Sequence, residues 1–211
     1  MMRGLYLVTD RAIIGDRALT DVVLAAVEGG AQTVQLREKN ASTRVFVELA
    51  GVLRELLAPR GVPLIINDRV DVAMASGAGG VHLGRDDMAY PDARRLLGPD
   101  AVIGLSVETM DDVMHAEQFN VDYLGVSPIF ATPTKTDTRG VWGIDGLAAV
   151  RRRSRHRLVA IGGLHAGNVS DVVAAGAGAV AVVSAVCGAP DPRAAAAELV
   201  TAMAAGARSG S

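Results

Sequence analysis

The sequence predicts an α/β protein that folds as a single-domain (β/α)8 TIM barrel. Short apolar runs, several with Val or Ile, alternate with longer helical segments eight times along the chain. This is the pattern of βα units that share one parallel sheet. The 211 residues are enough for eight such units at the short end of the barrel's size range. An open, doubly wound sheet is the alternative, but the first predicted strand lacks the GxGxxG fingerprint of dinucleotide-binding sheets.

The predicted strands are short apolar runs of the kind that a parallel sheet buries on both faces. They are Leu5–Thr9, Thr33–Arg37, Pro63–Asn67, Gly80–Leu83, Val102–Ser106, Tyr123–Val126, Leu158–Ile161 and Ala179–Val183.

The predicted helices fall between these strands and end at glycine-rich turns. They are Thr20–Glu28, Ser42–Leu57, Asp68–Ala75, Tyr90–Leu96, Thr109–Gln118, Ile144–Arg152, Ala166–Ala174 and Pro192–Ala205. Thr20 is the predicted N-cap of the first helix. We expect the barrel domain to cover residues 1–206 and residues 207–211 to form a disordered tail.

Composition excludes several classes of protein. With 23 acidic and 21 basic residues, the chain lacks the basic excess of a nucleic-acid surface. Its single cysteine, Cys187, permits no internal disulfide and favours a reducing cytoplasm. The start of the chain has no apolar run typical of a secretory signal. Residues 172–190 carry no charge, and we interpret them as a helix end, a turn and a buried strand rather than a membrane span.

Polar residues follow the predicted strands at their carboxyl ends, where barrels place their functional groups. Gln35, Arg37 and Lys39 share one face at the end of the second strand, because strand side chains alternate with a period of two. Asp68 follows the third strand and Asp87 the fourth. Taken singly, these are explained as a solvated strand end, a helix N-cap and a surface turn. Their occurrence at successive strand ends favours a common site.

The charges of these residues indicate what the site binds. Arg37, Lys39 and Lys135 supply three positive charges. Asp68 and Asp87 supply the oxygen ligands that Mg²⁺ prefers. Carboxylates beside a phosphate need a cation between them. The sequence therefore predicts a magnesium–diphosphate site.

The segments after the last three strands predict a second phosphate site. The sixth strand leads into a polar loop at residues 132–136, whose hydroxyl groups and lysine can hold phosphate oxygens. Gly163 follows the seventh strand and Ser184 the eighth, where many barrels bind a phosphate group. Two phosphate sites in one pocket predict two phosphorylated ligands.

The ordered set QLREK, IND, HLGRDD, GLS, TPTK, IGG and VVS resembles the thiamine phosphate synthase family. The resemblance extends from Leu5 to about Pro192 and implies a TIM barrel that transfers a pyrimidine group. It implies that hydroxymethylpyrimidine diphosphate and hydroxyethylthiazole phosphate are joined to thiamine phosphate, with release of diphosphate. The thiazole nitrogen that attacks carries no proton, so no general base is needed. The resemblance implies that the reaction passes through a pyrimidine cation.

The resemblance also implies roles for individual residues. Contacts to the pyrimidine diphosphate would come from Gln35, Arg37, Lys39, Asn67, Ser106 and Lys135. The remaining residues of the QLREK segment, Leu36 and Glu38, are included among the substrate-binding residues. The thiazole phosphate would be held by Thr132, Pro133, Thr134, Gly163, Val183 and Ser184. Asp68 and Asp87 would bind Mg²⁺. The catalytic set would be Lys135, Arg37, Lys39 and Ser106, which stabilise the departing diphosphate.

Three other functions share parts of this pattern. A related thiazole tautomerase would have the barrel, but the catalytic His of those enzymes would fall near Glu108. A non-catalytic barrel that binds phosphate ligands would keep the pocket without turnover. A phosphosugar isomerase or epimerase would share the last phosphate site but would need a carboxylate or His base. The expected partners are the two small-molecule substrates, with no nucleic acid and no membrane. A homo-oligomer is compatible with the sequence, and His82 and Trp142 are open as pocket residues.

Overall fold

A computed structural model describes residues 2–132 and 140–209 of the chain. The described residues form a closed barrel of eight parallel strands, each paired with the next and the last with the first. The strands are β1 (Gly4–Val8), β2 (Ala31–Leu36), β3 (Leu64–Asn67), β4 (Gly80–Leu83), β5 (Val102–Val107), β6 (Tyr123–Val126), β7 (Arg157–Ile161) and β8 (Ala179–Val182). The predicted TIM barrel and all eight predicted strands are confirmed.

Helices surround the barrel over the same described ranges. They are α1 (Arg11–Ile14), α2 (Leu19–Glu28), α3 (Thr43–Leu57), α4 (Val70–Ser76), α5 (Tyr90–Leu97), α6 (Met110–Ala116), α7 (Gly143–Arg153), α8 (Val169–Ala174), α9 (Ser184–Cys187) and α10 (Pro192–Ser209), with a 3-10 turn at Ala58–Arg60. The eight predicted helices are present. The two short helices α1 and α9, which directly follow β1 and β8, were not predicted because four residues give no readable helical period.

Three local expectations are corrected. The N-cap of α2 is Ala18 rather than Thr20, and it makes no side-chain capping bond. Asp68 does not cap α4, whose N-cap is Arg69; Asp68 instead has a φ of 65°. Residues 207–209, which we expected in a disordered tail, continue α10 to Ser209.

Side chains alternate between two apolar layers, as strand geometry requires. Leu5, Leu7 and Leu36 belong to the larger layer between the strands and the helices. The opposite faces of the strands fill the barrel interior. This interior cluster comprises Met2, Tyr6, Val8, Ile65, Tyr123, Val159, Ala179 and Ala181.

No helix in the described ranges is both long and apolar enough to cross a lipid bilayer. The uncharged stretch 172–190 covers the end of α8, strand β8 and α9, as the sequence indicates. Strand β8 is buried along its whole length, which explains why this stretch is apolar.

Candidate active site

A cavity of about 1110 Å³ opens at the carboxyl ends of the strands. Eleven of the residues that the sequence analysis assigned to the site line it. They are Gln35, Arg37, Lys39, Asn67, Asp68, Asp87, Ser106, Thr132, Gly163, Val183 and Ser184. The barrel thus brings together groups that lie up to 149 positions apart in the sequence, between Gln35 and Ser184.

Two other predicted site residues do not line the cavity. Leu36 is fully buried in the layer beneath the helices, because it points away from the face that carries Gln35 and Arg37. The carboxylate of Glu38 turns toward Arg11, with Oε1 3.8 Å from Nε, and burial raises its pKa. Both side chains lie away from the cavity, and the assignment of these two residues to substrate binding stays a prediction. Pro133, Thr134 and Lys135 lie outside the described residues.

One edge of the cavity carries both carboxylates expected to bind Mg²⁺. Asp68 Oδ2 lies 2.5 Å from Nζ of Lys39. Asp87 Oδ2 accepts a hydrogen bond of 2.6 Å from the backbone N–H of Gly84. Burial raises the pKa of the Asp87 carboxyl, and the nearby Asp68 carboxyl raises it further. A carboxylate pair in which Asp68 disfavours the charge of Asp87 forms a donor set that a hard divalent cation would stabilise.

Arg37 is held beside this edge by the end of β1. Its Nη1 donates a hydrogen bond of 2.9 Å to Oδ2 of Asp10, and its backbone N–H donates to Oγ1 of Thr9 at 3.1 Å. Asp10 Oδ1 also accepts from the backbone N–H groups of Ala12 and Ile13 at the start of α1. Asp10 was not among the predicted site residues, although it follows a predicted strand directly, as Asp68 does.

The floor of the cavity is a continuous chain of hydrogen bonds inside the barrel. Gln35 Nε2 donates to Tyr6 Oη at 2.9 Å, and Tyr6 Oη lies 3.0 Å from Tyr123 Oη. Tyr123 Oη lies 3.0 Å from Nδ1 of His82, whose Nε2 lies 2.9 Å from Oγ of Ser106. Burial raises the pKa of both Tyr6 and Tyr123 above the ordinary value of 10.0, so both phenols stay protonated.

His82 therefore does line the pocket, as the sequence left open. Tyr6 and Tyr123 were not among the predicted site residues. The alternation of side chains along β1 and β6 could have found them, because it places both polar rings inside the barrel. Trp142 packs against the layer beneath the helices, and its backbone N–H donates to the carbonyl of Pro128 at 2.9 Å.

The edge formed by β7 and β8 differs from the edge with the carboxylates. It consists of small residues, since Gly162 and Gly163 follow β7, and Val183 and Ser184 follow β8. Gly163 has a φ of 66°, and a Cβ atom there would lie 2.8 Å from the carbonyl oxygen of Ala131. Only glycine fits this position. In the closed barrel, β7 lies four strands from β3, so this edge faces the one that carries Asp68.

Comparison with known proteins identifies the family. A family model described as thiamine monophosphate synthase matches residues 5–186. A thiamine-phosphate synthase of Albidiferax ferrireducens is 60% identical over 188 residues, which are 89% of this chain and 86% of that protein.

Solved structures give the same result. A thiamine phosphate pyrophosphorylase from Pyrococcus furiosus matches with a TM-score of 0.89 at 37% identity, covering 97% of this chain and 96% of that one. A 3-hexulose-6-phosphate synthase matches with a TM-score of 0.68 at 17% identity, covering 95% of this chain and 99% of that one, which shows the shared fold alone. The chain belongs to the thiamine monophosphate synthase family, whose members are enzymes that form thiamine phosphate.

Proposed function

We propose that this cavity joins hydroxymethylpyrimidine diphosphate to hydroxyethylthiazole phosphate, with one substrate phosphate group at each edge. The observation that carries the proposal is the difference between the two edges. One edge carries Arg37, Lys39, Asp68 and Asp87, while Gly163 and Ser184 follow the two strands on the facing side. A diphosphate with a divalent cation suits the first edge, and a single phosphate group suits the second.

The diphosphate edge would use Arg37 and Lys39 as cationic ligands. Arg37 uses Nη1 to contact Asp10, which leaves the N–H groups on its other nitrogens for phosphate oxygens. Lys39 pairs with Asp68, and its ammonium group is a mobile point charge that can reach a neighbouring oxygen. Lys135 and Asn67 would complete the contacts to the diphosphate. The role of Lys135 rests on the family resemblance, since it lies outside the described residues.

Mg²⁺ is the proposed cofactor, and Asp68 and Asp87 would hold it. When bound, the ion would supply Lewis-acid stabilisation of the negative charge that develops on the leaving diphosphate. The fit rests on the two carboxylates at this edge. Asp87 is held by Gly84 N–H, while Asp68 is balanced by Lys39.

The thiazole edge would hold the second substrate through small residues and backbone groups. Gly163, Val183, Ser184 and Thr132 all line the cavity. Pro133 and Thr134 would extend this edge, by resemblance. Because Gly163 has no side chain, a phosphate group can approach the backbone closely.

The proposed reaction breaks the bond between the pyrimidine methylene carbon and the diphosphate oxygen, and the electron pair leaves with the oxygen. The unprotonated thiazole nitrogen then forms a new bond to that carbon. No proton is removed, so the cavity needs no general base. The chain's task is to stabilise the leaving charge through Arg37 and Lys39 and to hold the two substrates in contact.

We place this reaction in the cytoplasm, because the chain has a single cysteine, Cys187, and can form no internal disulfide. Diphosphate release in the presence of Mg²⁺ tests the function. With both substrates, we expect one diphosphate for each thiamine phosphate formed. Without the thiazole phosphate, steady release should be lost. Failure to form thiamine phosphate when both substrates are present would contradict the proposal.

A further inference from the structure

We propose that Tyr6 and Tyr123 are positioning residues that fix the direction of the hydrogen-bond chain in the barrel floor. In that direction His82 carries its proton on Nε2, and Ser106 donates its hydroxyl proton into the cavity. The inference rests on the proposed function only for the ligand that receives this proton. We infer the direction of the chain itself from the orientation of the Gln35 amide, whose Nε2 faces Tyr6.

The direction is set at Gln35. Its Nε2 faces Tyr6 Oη at 2.9 Å, and an amide nitrogen can only donate. The single proton of Tyr6 is therefore not used toward Gln35, and the neighbouring acceptor is Tyr123 Oη at 3.0 Å. Tyr123 then accepts from Tyr6, and its own proton is directed to Nδ1 of His82 at 3.0 Å.

The remaining steps follow from the chemistry of imidazole. Because Nδ1 accepts a hydrogen bond, the ring proton of neutral His82 lies on Nε2. Nε2 lies 2.9 Å from Ser106 Oγ and donates to it. The Ser106 hydroxyl is then an acceptor from His82 and keeps its proton for a group in the cavity. One end of the floor thus presents a donor, Ser106, while the amide oxygen of Gln35 at the other end is an acceptor.

The surrounding backbone is shaped to hold the two central rings. A Cβ atom at Gly104 would lie 2.1 Å from Cζ of Tyr123, and one at Gly125 would lie 2.8 Å from Cε1 of His82. Neither glycine has a positive φ, so each is needed for space rather than for backbone conformation. Tyr123 and His82 stack with ring centroids 5.4 Å apart and planes 20° apart. The rings are therefore held in one arrangement.

A donor and an acceptor fixed at separate ends of a floor suit a heteroaromatic ring that has both a ring nitrogen and an amino group. Under the proposed function this ring is the aminopyrimidine. Since the hydrogen bonds form one continuous chain from Gln35 to Ser106, the donor at one end and the acceptor at the other can exchange roles only together. Tyr6 and Tyr123 would thus act on ligand recognition through Gln35 and Ser106, without contacting the reacting atoms.

The direct test is the tautomer of His82 in the full-length, ¹⁵N-labelled wild-type protein, read from two-bond ¹H–¹⁵N correlations. The chain has four histidines, and loss of one signal in His82→Gln assigns it. We expect a single form with the proton on Nε2. A proton on Nδ1, or an average of the two tautomers, would overturn the proposal.

Tyr123→Phe removes the central hydroxyl, and Tyr90→Phe is the matched control, because the Tyr90 hydroxyl donates to the carbonyl of Asn120 instead. In Tyr123→Phe we expect the His82 signal to become an average of both tautomers. We also expect the Kd for the pyrimidine diphosphate to rise roughly tenfold, with the Kd for the thiazole phosphate unchanged. Tyr90→Phe should change none of these. An unchanged tautomer in folded Tyr123→Phe would contradict the relay.

The two proposals can fail separately. If the wild-type protein has the Nε2 tautomer but does not bind the pyrimidine diphosphate, the proposed function is wrong and the relay stands. If the substrate binds but His82 carries its proton on Nδ1, the relay is wrong and the proposed function stands. Should Tyr123→Phe fail to fold, the wild-type tautomer still decides.

Discussion

Asp10 at the end of β1 accepts a hydrogen bond of 2.9 Å from Nη1 of Arg37 at the end of β2. The same carboxylate caps α1 with its other oxygen. Asp10 therefore links the start of α1 to Arg37, which we propose binds the diphosphate. Asp10 itself does not line the cavity.

Asp10→Asn tests this connection. The amide oxygen can still cap α1, but the charge that holds the guanidinium is lost. We expect the KM for the pyrimidine diphosphate to rise roughly tenfold, as for loss of one charge-assisted hydrogen bond, with little change for the thiazole phosphate. Steady-state kinetics with each substrate varied in turn measure the difference. Asp92→Asn, which breaks the exposed pair with Arg95, is the control. Equal effects on the two substrates would show that Asp10 has only a structural role.

Gly163→Ala tests the thiazole edge. The new Cβ would lie 2.8 Å from both the carbonyl oxygen of Ala131 and Cβ of Phe130, so this edge must shift. Gly61→Ala is the matched control, because Gly61 has a φ of 65° but open space around it. Backbone strain should lower the free energy of unfolding of both variants by about 1–2 kcal/mol. Only Gly163→Ala should raise the KM for the thiazole phosphate. A selective effect on the pyrimidine diphosphate would reverse the assignment of the two edges.

Gly104→Ala tests the space beneath Tyr123. A Cβ atom 2.1 Å from Cζ of Tyr123 forces the ring or strand β5 to move. We expect the free energy of unfolding to fall by about 1–3 kcal/mol, as for other overpacked cores. Gly51→Ala on α3, where nothing lies within 4 Å of the new atom, should not destabilise the protein. Urea denaturation of both variants gives the comparison. Equal stabilities for Gly104→Ala and the wild type would show that the barrel interior is not as tightly filled as described.

Cys187 should be unreactive in the folded protein. Burial raises the pKa of its thiol from 9.0 to about 11, and the thiolate is the reactive form. At pH 8 we expect reaction with a thiol reagent only after unfolding. The folded state binds the Cys187 thiol proton more tightly than the unfolded state does. The contribution of this proton to the free energy of unfolding is therefore fully present below pH 9. It is lost as the pH rises from 9 through 11. Rapid labelling of the native protein at pH 8 would contradict this burial.

The fold could be predicted from the sequence because each buried strand is a short apolar run that ends in polar residues. The eleven cavity residues were found for the same reason, since parallel strands bring all their carboxyl ends to one face. Leu36 and Glu38 were assigned through membership of the QLREK segment. Alternation along β2 turns Leu36 outward, and Glu38 pairs with Arg11.

The hydrogen-bond chain in the floor of the cavity was harder to predict from the sequence. Tyr6 and Tyr123 lie 117 positions apart in the sequence, and each is an ordinary core residue in its own strand. Their hydroxyl groups acquire a shared role only when barrel closure brings them within 3.0 Å of each other across the interior. Asp10 was missed for a related reason, because its partner Arg37 belongs to the next strand.

Asp68 and Asp87 form the edge of the cavity at which we propose that diphosphate departs. The test is the turnover number of Asp68→Asn and Asp87→Asn, measured with both substrates at limiting Mg²⁺. Asparagine tolerates the positive φ of Asp68, and Asp86→Asn, whose side chain is 91% exposed, is the neighbouring control. We predict that Asp68→Asn and Asp87→Asn each lose roughly 100-fold or more in turnover while remaining folded, and that Asp86→Asn does not. Full activity of Asp68→Asn and Asp87→Asn under limiting Mg²⁺ would show that these carboxylates do not hold the ion that stabilises the departing diphosphate.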